Sequence, residues 1–221
     1  MLKIRLFLPQ CEIHLFSGSL SSLKNIGEEG IDYEHIAIQF QPPSKIKTTL
    51  EYNCPYPGHL KRHSFIPRDL DLDRYVIFCD TDDVVFQTKI PKLSLDMYLA
   101  PENVTHRDTI WQHDMKDFRD FDVLMDKPVI NCGMYILKVS VLYQYLDFLK
   151  ENEDHPYNSH GFEQPWFNLF LYKHPELTRS EDLSIMCPLY DNMSRVTHED
   201  TWKVNGKTIF CVHENGIKGR L

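Results

Sequence analysis

A short apolar run that ends in a cluster of carboxylates constrains the fold of this chain more than any other stretch. Residues Tyr75–Cys79 are all apolar, which is typical of a strand that a sheet buries on both faces. Asp80-Thr81-Asp82-Asp83 follows directly, and strand alternation would turn Asp80 and Asp82 to the same side. Two carboxylates that close together repel each other unless a proton or a cation lies between them. We therefore predict that Asp80 and Asp82 hold a divalent metal at the carboxyl end of a central strand in an open α/β fold.

The alternative interpretation of the same residues is a polar strand end that caps a turn. A turn of that kind needs one aspartate, whereas three stand here. Both interpretations put the acids at the end of a strand, and we favour the metal site because it gives more than one of them a role.

The overall composition argues against two classes of partner. The 221 residues carry a net charge of −8, which argues against a nucleic acid because proteins that bind phosphate backbones are usually basic. The sequence holds no apolar run of about 18 residues, so we predict no transmembrane segment. An apolar fraction of 42% suffices for the core of one α/β domain, which we expect to span residues 1–221. Because the chain ends just past its last motif, we also expect it to be the N-terminal domain of a longer protein.

The cysteines and the N-terminal residues are the features from which we predict the cellular compartment. Six cysteines are scattered along the chain with no C-x-x-C pair, a pattern typical of buried reduced thiols rather than of disulfides or a zinc site. The N-terminal residues lack the long apolar region and cleavage site of a signal peptide. We therefore expect a cytoplasmic protein, in the host cytoplasm if the source is a virus.

Periodicity and turn signals predict the remaining elements. Strands are predicted at Leu2–Leu8, Glu12–Phe16, Tyr33–Phe40, Pro128–Leu137 and Ile185–Leu189. Helices are predicted within Leu60–Leu70, at Val141–Lys150 with Ser140 as its N-cap, and at Phe162–Tyr172 with Pro165 in its first turn. The pair Asn205-Gly206 predicts a type I′ hairpin between Trp202–Val204 and Thr208–Val212. Residues Phe86–Leu99 show little periodicity, and Pro101–Asp126 is interpreted as irregular structure or short helices on the surface near a pocket.

Four polar motifs occur in a fixed order, and their set resembles a known family. They are Asp80-Thr81-Asp82, Asn131-Cys132-Gly133, Glu163-Gln164 with Asn168, and His213-x-x-Gly216-x-Lys218. From about Lys61 to Lys218 the chain is similar to metal-dependent glycosyltransferases of the GT-A fold. The pattern is closest to family 8, the glycogenin and lipopolysaccharide galactosyltransferase group, in the form found in bacteria and large DNA viruses. The resemblance implies a Rossmann-like α/β domain, with a mixed central sheet flanked by helices.

The resemblance also implies a reaction and a set of site residues. A hexose would pass from a UDP-sugar, such as UDP-glucose or UDP-galactose, to a glycan or a protein-linked glycan. Asp80, Asp82 and His213 would hold manganese, or magnesium in its place, and an imidazole ligand tilts an oxygen-rich site toward manganese. Such a metal neutralises the charge that develops on the departing diphosphate. The resemblance makes Lys61, Arg62, Asp80, Thr81, Asn131, Gly133, Gly216 and Lys218 contacts of the nucleotide sugar, and puts Glu163, Gln164 and Asp82 nearest the reacting centre.

Two other functions fit parts of the same pattern. Tyr75 to Val84 also fits the first motif of haloacid-dehalogenase-type phosphatases, with Asp80 as nucleophile and Asp82 as acid and base. A non-catalytic, metal-dependent glycan-binding module would keep the motifs without turnover. Within the transferase interpretation, inversion at the anomeric carbon requires a carboxylate base, for which the candidates are Glu163, Asp114 and Asp191.

Overall fold

A computed structural model describes most of the second half of the chain and several strands of the first. Backbone and side chains are described at residues 63, 66, 68–79, 84–109, 118, 120–153 and 163–214. For 2–7, 11–16, 33–37 and Asp80 the description covers the backbone alone.

The centre of the fold is a seven-stranded mixed sheet. Its strands are β1 Leu2–Phe7, β2 Cys11–Phe16, β3 Tyr33–Ala37, β4 Tyr75–Asp80, β6 Met97–Thr105, β7 Pro128–Lys138 and β8 Arg179–Ser180. Along the sheet they lie in the order β3-β1-β2-β4-β7-β6-β8, and β4 is the middle strand. The pairs β2–β4 and β6–β8 are parallel and the other neighbouring pairs are antiparallel. The predicted α/β class with a mixed central sheet is therefore confirmed.

Strand β4 is buried on both faces, as its apolar run predicts. Val76 and Phe78 face one hydrophobic cluster, and Ile77 and Cys79 face another on the opposite side of the sheet. All four side chains have no exposed surface. The two faces of the central sheet therefore carry separate layers.

Helices cover one face of the sheet. They are α1 Phe121–Leu124, α2 Val139–Glu151 and α3 Gln164–Lys173. In α2 the side chains of Leu142, Tyr145, Leu146 and Leu149 are buried, and Pro165 stands in the first turn of α3 as predicted. The predicted N-cap of α2 is wrong: the helix follows β7 directly, Lys138 is its N-cap, and Ser140 lies inside the first turn. The strand runs into the helix without a turn, so a capping side chain has no place.

A small three-stranded sheet covers the opposite face. Its strands are β5 Val84–Phe86, β9 Met186–Pro188 and β13 Cys211–His213, with β13 in the middle. Side chains of β5, β9 and β13 join Ile77 and Cys79 of β4 in one hydrophobic cluster. The result is a layer of helices, a central sheet and a small second sheet.

The C-terminal hairpin forms at the predicted turn but is shorter than predicted. Asn205 and Gly206 both have positive φ, 50° and 76°, as a type I′ turn requires. After Thr208 the chain leaves the hairpin, because the Phe210 and Cys211 N–H groups donate to Ser184 and Ile185 carbonyls beside β9. The predicted arm Thr208–Val212 is thus two strands in two sheets. The third sheet consists of β10 Val196–His198, β11 Trp202–Val204 and β12 Lys207–Thr208, and follows helix α4 Leu189–Asn192 and a 3₁₀ turn, Met193–Arg195.

Strand β6 is the main element that the sequence interpretation missed. Its first four residues, Met97 to Ala100, are all buried, so they show no alternation, and Pro101 interrupts the pattern. The region from Pro101 is therefore not irregular at its start, although residues 110–117 lie outside the description.

Two further sequence predictions concern thiols and membranes. The four cysteines with described side chains, Cys79, Cys132, Cys187 and Cys211, are buried, as predicted. In the part of the chain that the structure describes, the helices are too short or too polar to cross a membrane.

Candidate functional site

Strand β7 carries a local irregularity at its Asn131-Cys132-Gly133 motif. Between the pairs Tyr98–Ile136 and Ala100–Asn131, β6 advances by two residues and β7 by five. Extra residues of this kind bulge out of the ladder and re-aim the side chains beside them, and such bulges are common next to active sites. Cys132 joins the cluster on the helix face, whereas Met134 joins the cluster under the small sheet.

Helix α3 fixes the backbone on both sides of Asn131. The buried Asn168 amide accepts from the Ile130 N–H and donates to the Ile130 carbonyl, each at 2.8 Å. One turn earlier, Gln164 Oε1 accepts from the Cys132 N–H at 3.2 Å. These side-chain hydrogen bonds hold the peptide groups on both sides of Asn131 in place. The Gln164 and Asn168 side chains share a helix face because they stand four residues apart.

The Asn131 side chain joins three groups by hydrogen bonds. Its Oδ1 accepts from the Gly133 N–H at 2.8 Å and contacts His213 Nδ1 at 2.8 Å, and its Nδ2 donates to Glu102 Oε1 at 2.8 Å. All of these groups are buried. Because an amide oxygen only accepts, His213 must donate from Nδ1. In the neutral imidazole the lone pair is then on Nε2, a nitrogen with which histidine binds metals.

Gly133 is required by the close approach of the His213 ring. A Cβ atom built on Gly133 would lie 2.1 Å from Cε1, 2.4 Å from Nδ1 and 2.8 Å from Nε2 of His213. The ring therefore rests against the bare backbone of β7, and any side chain at position 133 would displace it. The resemblance made Gly133 a contact of the nucleotide sugar, and the structure shows the His213 ring packed against it.

The strands around the acidic segment bring its two ends to this place. His213 is paired with Val84, the first residue of β5, and β4 ends at Asp80 one residue beyond the Cys79–Met134 pair with β7. The last pair of β4 with β7 thus lies at Met134, next to Gly133 in the chain, and the segment 81–83 is followed by Val84, which lies opposite His213. Three of the four sequence motifs thus meet at one corner of the fold, as far as their described parts are concerned.

Two acids near this corner have perturbed ionisation. Burial raises the pKa of Glu102 to about 7, and the Asp191 carboxylate adds to the rise, while the Asn131 hydrogen bond and His213 oppose it. Burial also raises the pKa of Asp191, which lies on α4. Sequence reasoning missed Glu102 because the segment around it was interpreted as irregular, and no spacing links it to the motifs.

The structure separates Glu163 from the other predicted site residues. Glu163 is 3% exposed and its Oε1 accepts from the Tyr135 hydroxyl at 2.7 Å and from His63 Nε2 at 2.8 Å. Tyr135 belongs to the hydrophobic cluster under the helices, on the face of the sheet opposite to His213. Of the three acids considered as a base for inversion, Asp191 is half-buried near Glu102, Glu163 is enclosed in this layer, and Asp114 lies outside the described residues.

The Glu163 contacts lead to a stability prediction. Glu163→Ala removes the acceptor shared by two buried donors, so we expect a loss of about 3 kcal/mol of unfolding free energy, and Glu163→Gln should lose less than half of that because it keeps one oxygen. For a chain of this size the alanine variant should melt roughly 6–12 °C lower. Thermal unfolding followed by circular dichroism measures both, with the exposed Glu151→Ala on α2 as control. A Glu163→Ala protein that melts with the wild type contradicts the assignment.

The Glu102 contacts predict a pH dependence of stability. The folded state keeps the Glu102 proton up to about pH 7, whereas the unfolded chain releases it near 4.5. The folded state therefore binds more protons between these values, and stability falls as pH rises through them, by on the order of 3 kcal/mol. Urea unfolding at pH 5 and pH 8 without metal should show this fall in the wild type and a much smaller one in Glu102→Gln. The exposed Glu151→Gln serves as control, and equal slopes in wild type and Glu102→Gln would contradict the prediction.

The remaining predicted site residues have no described side chains. Lys61, Arg62, Thr81, Asp82, Gly216 and Lys218 lie outside the described residues, and Asp80 is described by its backbone. Among the side chains that are described, no three of the acidic, histidine or cysteine type form a metal-binding group. The three-ligand set of Asp80, Asp82 and His213 therefore stays a prediction.

Comparison with known proteins gives a likeness to solved structures, but none to a family model or a curated protein. Among solved structures, it is similar to the apo form of mouse xyloside xylosyltransferase 1, with a TM-score of 0.39 and 16% sequence identity. The match covers 70% of this chain and 61% of the mouse chain, so this chain spans less than two thirds of that protein.

Proposed function

We propose that this protein is a metal-dependent glycosyltransferase that moves a sugar from a UDP-sugar to a carbohydrate acceptor. The observation that carries the proposal is the His213 side chain. It donates from Nδ1 to Asn131, rests on Gly133, and stands opposite the residue that follows the acidic segment. A histidine that ligates a metal is a neutral imidazole with its lone pair on one ring nitrogen, and the N–H of the other ring nitrogen donates a hydrogen bond to a protein group. His213 has this arrangement, with the lone pair on Nε2 and the donor at Nδ1.

The metal ligands in this proposal are Asp80, Asp82 and His213. Two carboxylates and one imidazole suit manganese better than magnesium, although either ion takes oxygen ligands. When bound, the ion supplies neutralisation of the charge on the departing diphosphate. The order of the motifs and the backbone positions of Asp80 and Val84 support this set.

In this proposal some residues of the chain contact the nucleotide sugar, and others hold strand β7 in place. Lys218, with Lys61 or Arg62, would contact phosphate, where basic side chains form charge-assisted hydrogen bonds. Thr81 and Gly216 would lie against the nucleotide sugar through their backbone. We assign Glu163 and Gln164 to holding β7 rather than sugar hydroxyls, since Gln164 bonds the Cys132 N–H and Glu163 bonds Tyr135 and His63.

One experiment separates this function from its alternatives. The purified protein is incubated with manganese and with UDP-glucose, UDP-galactose or GDP-mannose, and nucleoside diphosphate release is measured with and without EDTA. A transferase releases UDP in a metal-dependent reaction that a glycan acceptor accelerates. A phosphatase instead releases inorganic phosphate from p-nitrophenyl phosphate, and a glycan-binding module releases neither.

Binding can be tested apart from turnover. A ligand that binds only the folded state raises the melting temperature, so UDP with manganese should stabilise the protein and each alone should do so less. A protein that UDP and manganese together leave unchanged, and that releases no UDP, would contradict the proposal.

A further inference from the structure

Glu102 begins a chain of three buried hydrogen-bonded side chains that ends at His213. Glu102 Oε1 accepts from Asn131 Nδ2, and Asn131 Oδ1 accepts from His213 Nδ1, with both distances at 2.8 Å. The three side chains come from β6, β7 and β13, which belong to two different sheets. The resemblance implied that Asn131 lines the sugar, and nothing in the motifs involved Glu102. The contacts point to a different role for both.

We propose that Glu102 and Asn131 are positioning residues that hold His213 in the Nδ1–H tautomer and so present Nε2 as its ligating nitrogen. What the proposal says about a metal rests on the proposed function. What it says about the tautomer concerns the protein alone, and is tested without substrate or metal.

The chemistry of the amide explains why Glu102 is needed. An asparagine side chain fits its site almost equally well after a half-turn that exchanges oxygen and nitrogen, so hydrogen bonds decide which end faces which neighbour. Here the oxygen must face two donors, the Gly133 N–H and His213 Nδ1. Glu102 accepts from the nitrogen and so favours the same orientation from the other side.

Reversal of the amide would have a direct consequence for His213. The Asn131 NH₂ group would then face the imidazole, which would have to accept at Nδ1 and carry its proton on Nε2 instead. That tautomer has no lone pair on Nε2. Burial strengthens the preference for one tautomer, because a buried donor that faces another donor lacks a hydrogen bond and destabilises the folded state. Glu102 thus acts on Nε2 through two intervening groups without contact to it in the described structure.

The first test is the tautomer itself. Protein with ¹⁵N-labelled histidine is studied at pH 8 without metal, by the two-bond ¹H–¹⁵N correlations that distinguish a protonated from an unprotonated ring nitrogen. The signals of His213 among the 11 histidines are those missing from His213→Ala. We expect protonated Nδ1 and unprotonated Nε2 in the wild type. A wild-type His213 with its proton on Nε2 would overturn the proposal whatever the variants show.

The second test is the dependence on Glu102. In Glu102→Ala we expect a substantial Nε2–H population, while Glu102→Gln, whose amide oxygen still accepts, should keep the wild-type pattern. Glu102→Asp retracts the carboxylate by one methylene and should behave like the alanine variant, which covers the case in which Glu102→Ala does not fold. Asp191→Asn is the matched control, since Asp191 lies near Glu102 and should leave the tautomer unchanged. Identical His213 signals in wild type, Glu102→Ala and Glu102→Asp would overturn the role of Glu102.

A third measurement connects the tautomer to metal. Loss of such an outer partner usually costs 10–100-fold in metal affinity or activity, so Glu102→Ala should need about 10–100 times more manganese for half-maximal UDP release. Turnover at saturating manganese should change less, and Glu102→Gln should stay within about threefold of wild type. If the tautomer shifts as expected but UDP release is absent in every protein, the proposed function fails and the positioning role stands. If turnover is present and the manganese requirement is the same in all variants, the link from Glu102 to the metal fails.

Discussion

Asp80→Asn and Asp82→Asn should each lower metal-dependent sugar transfer by at least about 1000-fold. The change removes the charge of a proposed metal ligand and keeps its size, so it tests the ligand role rather than packing. A thousandfold loss corresponds to about 4 kcal/mol of transition-state stabilisation, which is within what a bound divalent ion contributes to charge neutralisation. UDP release from the best donor, measured over a range of manganese concentrations, gives both turnover and the metal requirement.

The neighbouring acid provides the matched control. Asp83→Asn changes the next residue in the same acidic segment, and strand alternation would turn that side chain away from the other two. We expect it to retain wild-type activity within a few fold. None of the three variants should melt below the wild type when metal is absent, and only Asp83→Asn should keep the stabilisation by UDP with manganese. Full metal-dependent activity in either of the other two variants would rule out the proposed site.

Gly133→Ala should also disable the proposed metal site, because it displaces the third proposed ligand, His213. The added methyl group would lie 2.1 Å from Cε1 of the ring, so the imidazole must move and give up its hydrogen bond to Asn131. Overpacking of this kind costs about 1–3 kcal/mol, and loss of the ligating nitrogen should lower sugar transfer about 10–100-fold. Thermal unfolding without metal and UDP release with manganese measure the two effects separately.

A double-mutant cycle shows whether the loss of stability in Gly133→Ala comes from the clash with the His213 imidazole. All three atoms nearest the added Cβ belong to His213, so in a His213→Ala background the same Gly133→Ala change should cost little stability. Residues in contact are expected to be non-additive by 0.5–3 kcal/mol in such a cycle. If Gly133→Ala is equally destabilising with and without the imidazole, the close approach is not the reason for glycine at this position.

The parts of the fold that depend on local pattern were predictable from the sequence. The apolar run of β4 predicts a strand that is buried on both faces. The pair Asn205-Gly206 predicts a turn that requires positive φ at both residues. The length of β13 depended on the Ser184 and Ile185 carbonyls beside β9, more than twenty residues earlier in the chain. No local pattern at Thr208–Val212 contains that information.

The candidate site was likewise predictable only in part from the sequence. The motif order singled out Asn131, Gly133 and His213, and the structure brings these three into contact. Spacing also put Gln164 and Asn168 on one helix face, but it could not tell that this face meets the backbone of β7 instead of a ligand. Glu102 was missed because its role depends on a strand pairing in which β7 bulges by several residues.

The central place of β13 in the small sheet has a consequence for the order of assembly. His213 lies 82 residues beyond Asn131 in the chain, and β13 is the shared partner of β5 and β9. Contacts of such long range form only after the entropy of loop closure has been overcome, which slows folding relative to local structure. A nascent chain that stops short of Cys211 would contain the acidic segment, the bulged strand and the four helices that the structure describes, yet would lack the His213 imidazole. Competence for chemistry should therefore arise only after β13 has been synthesised and has paired with β5 and β9.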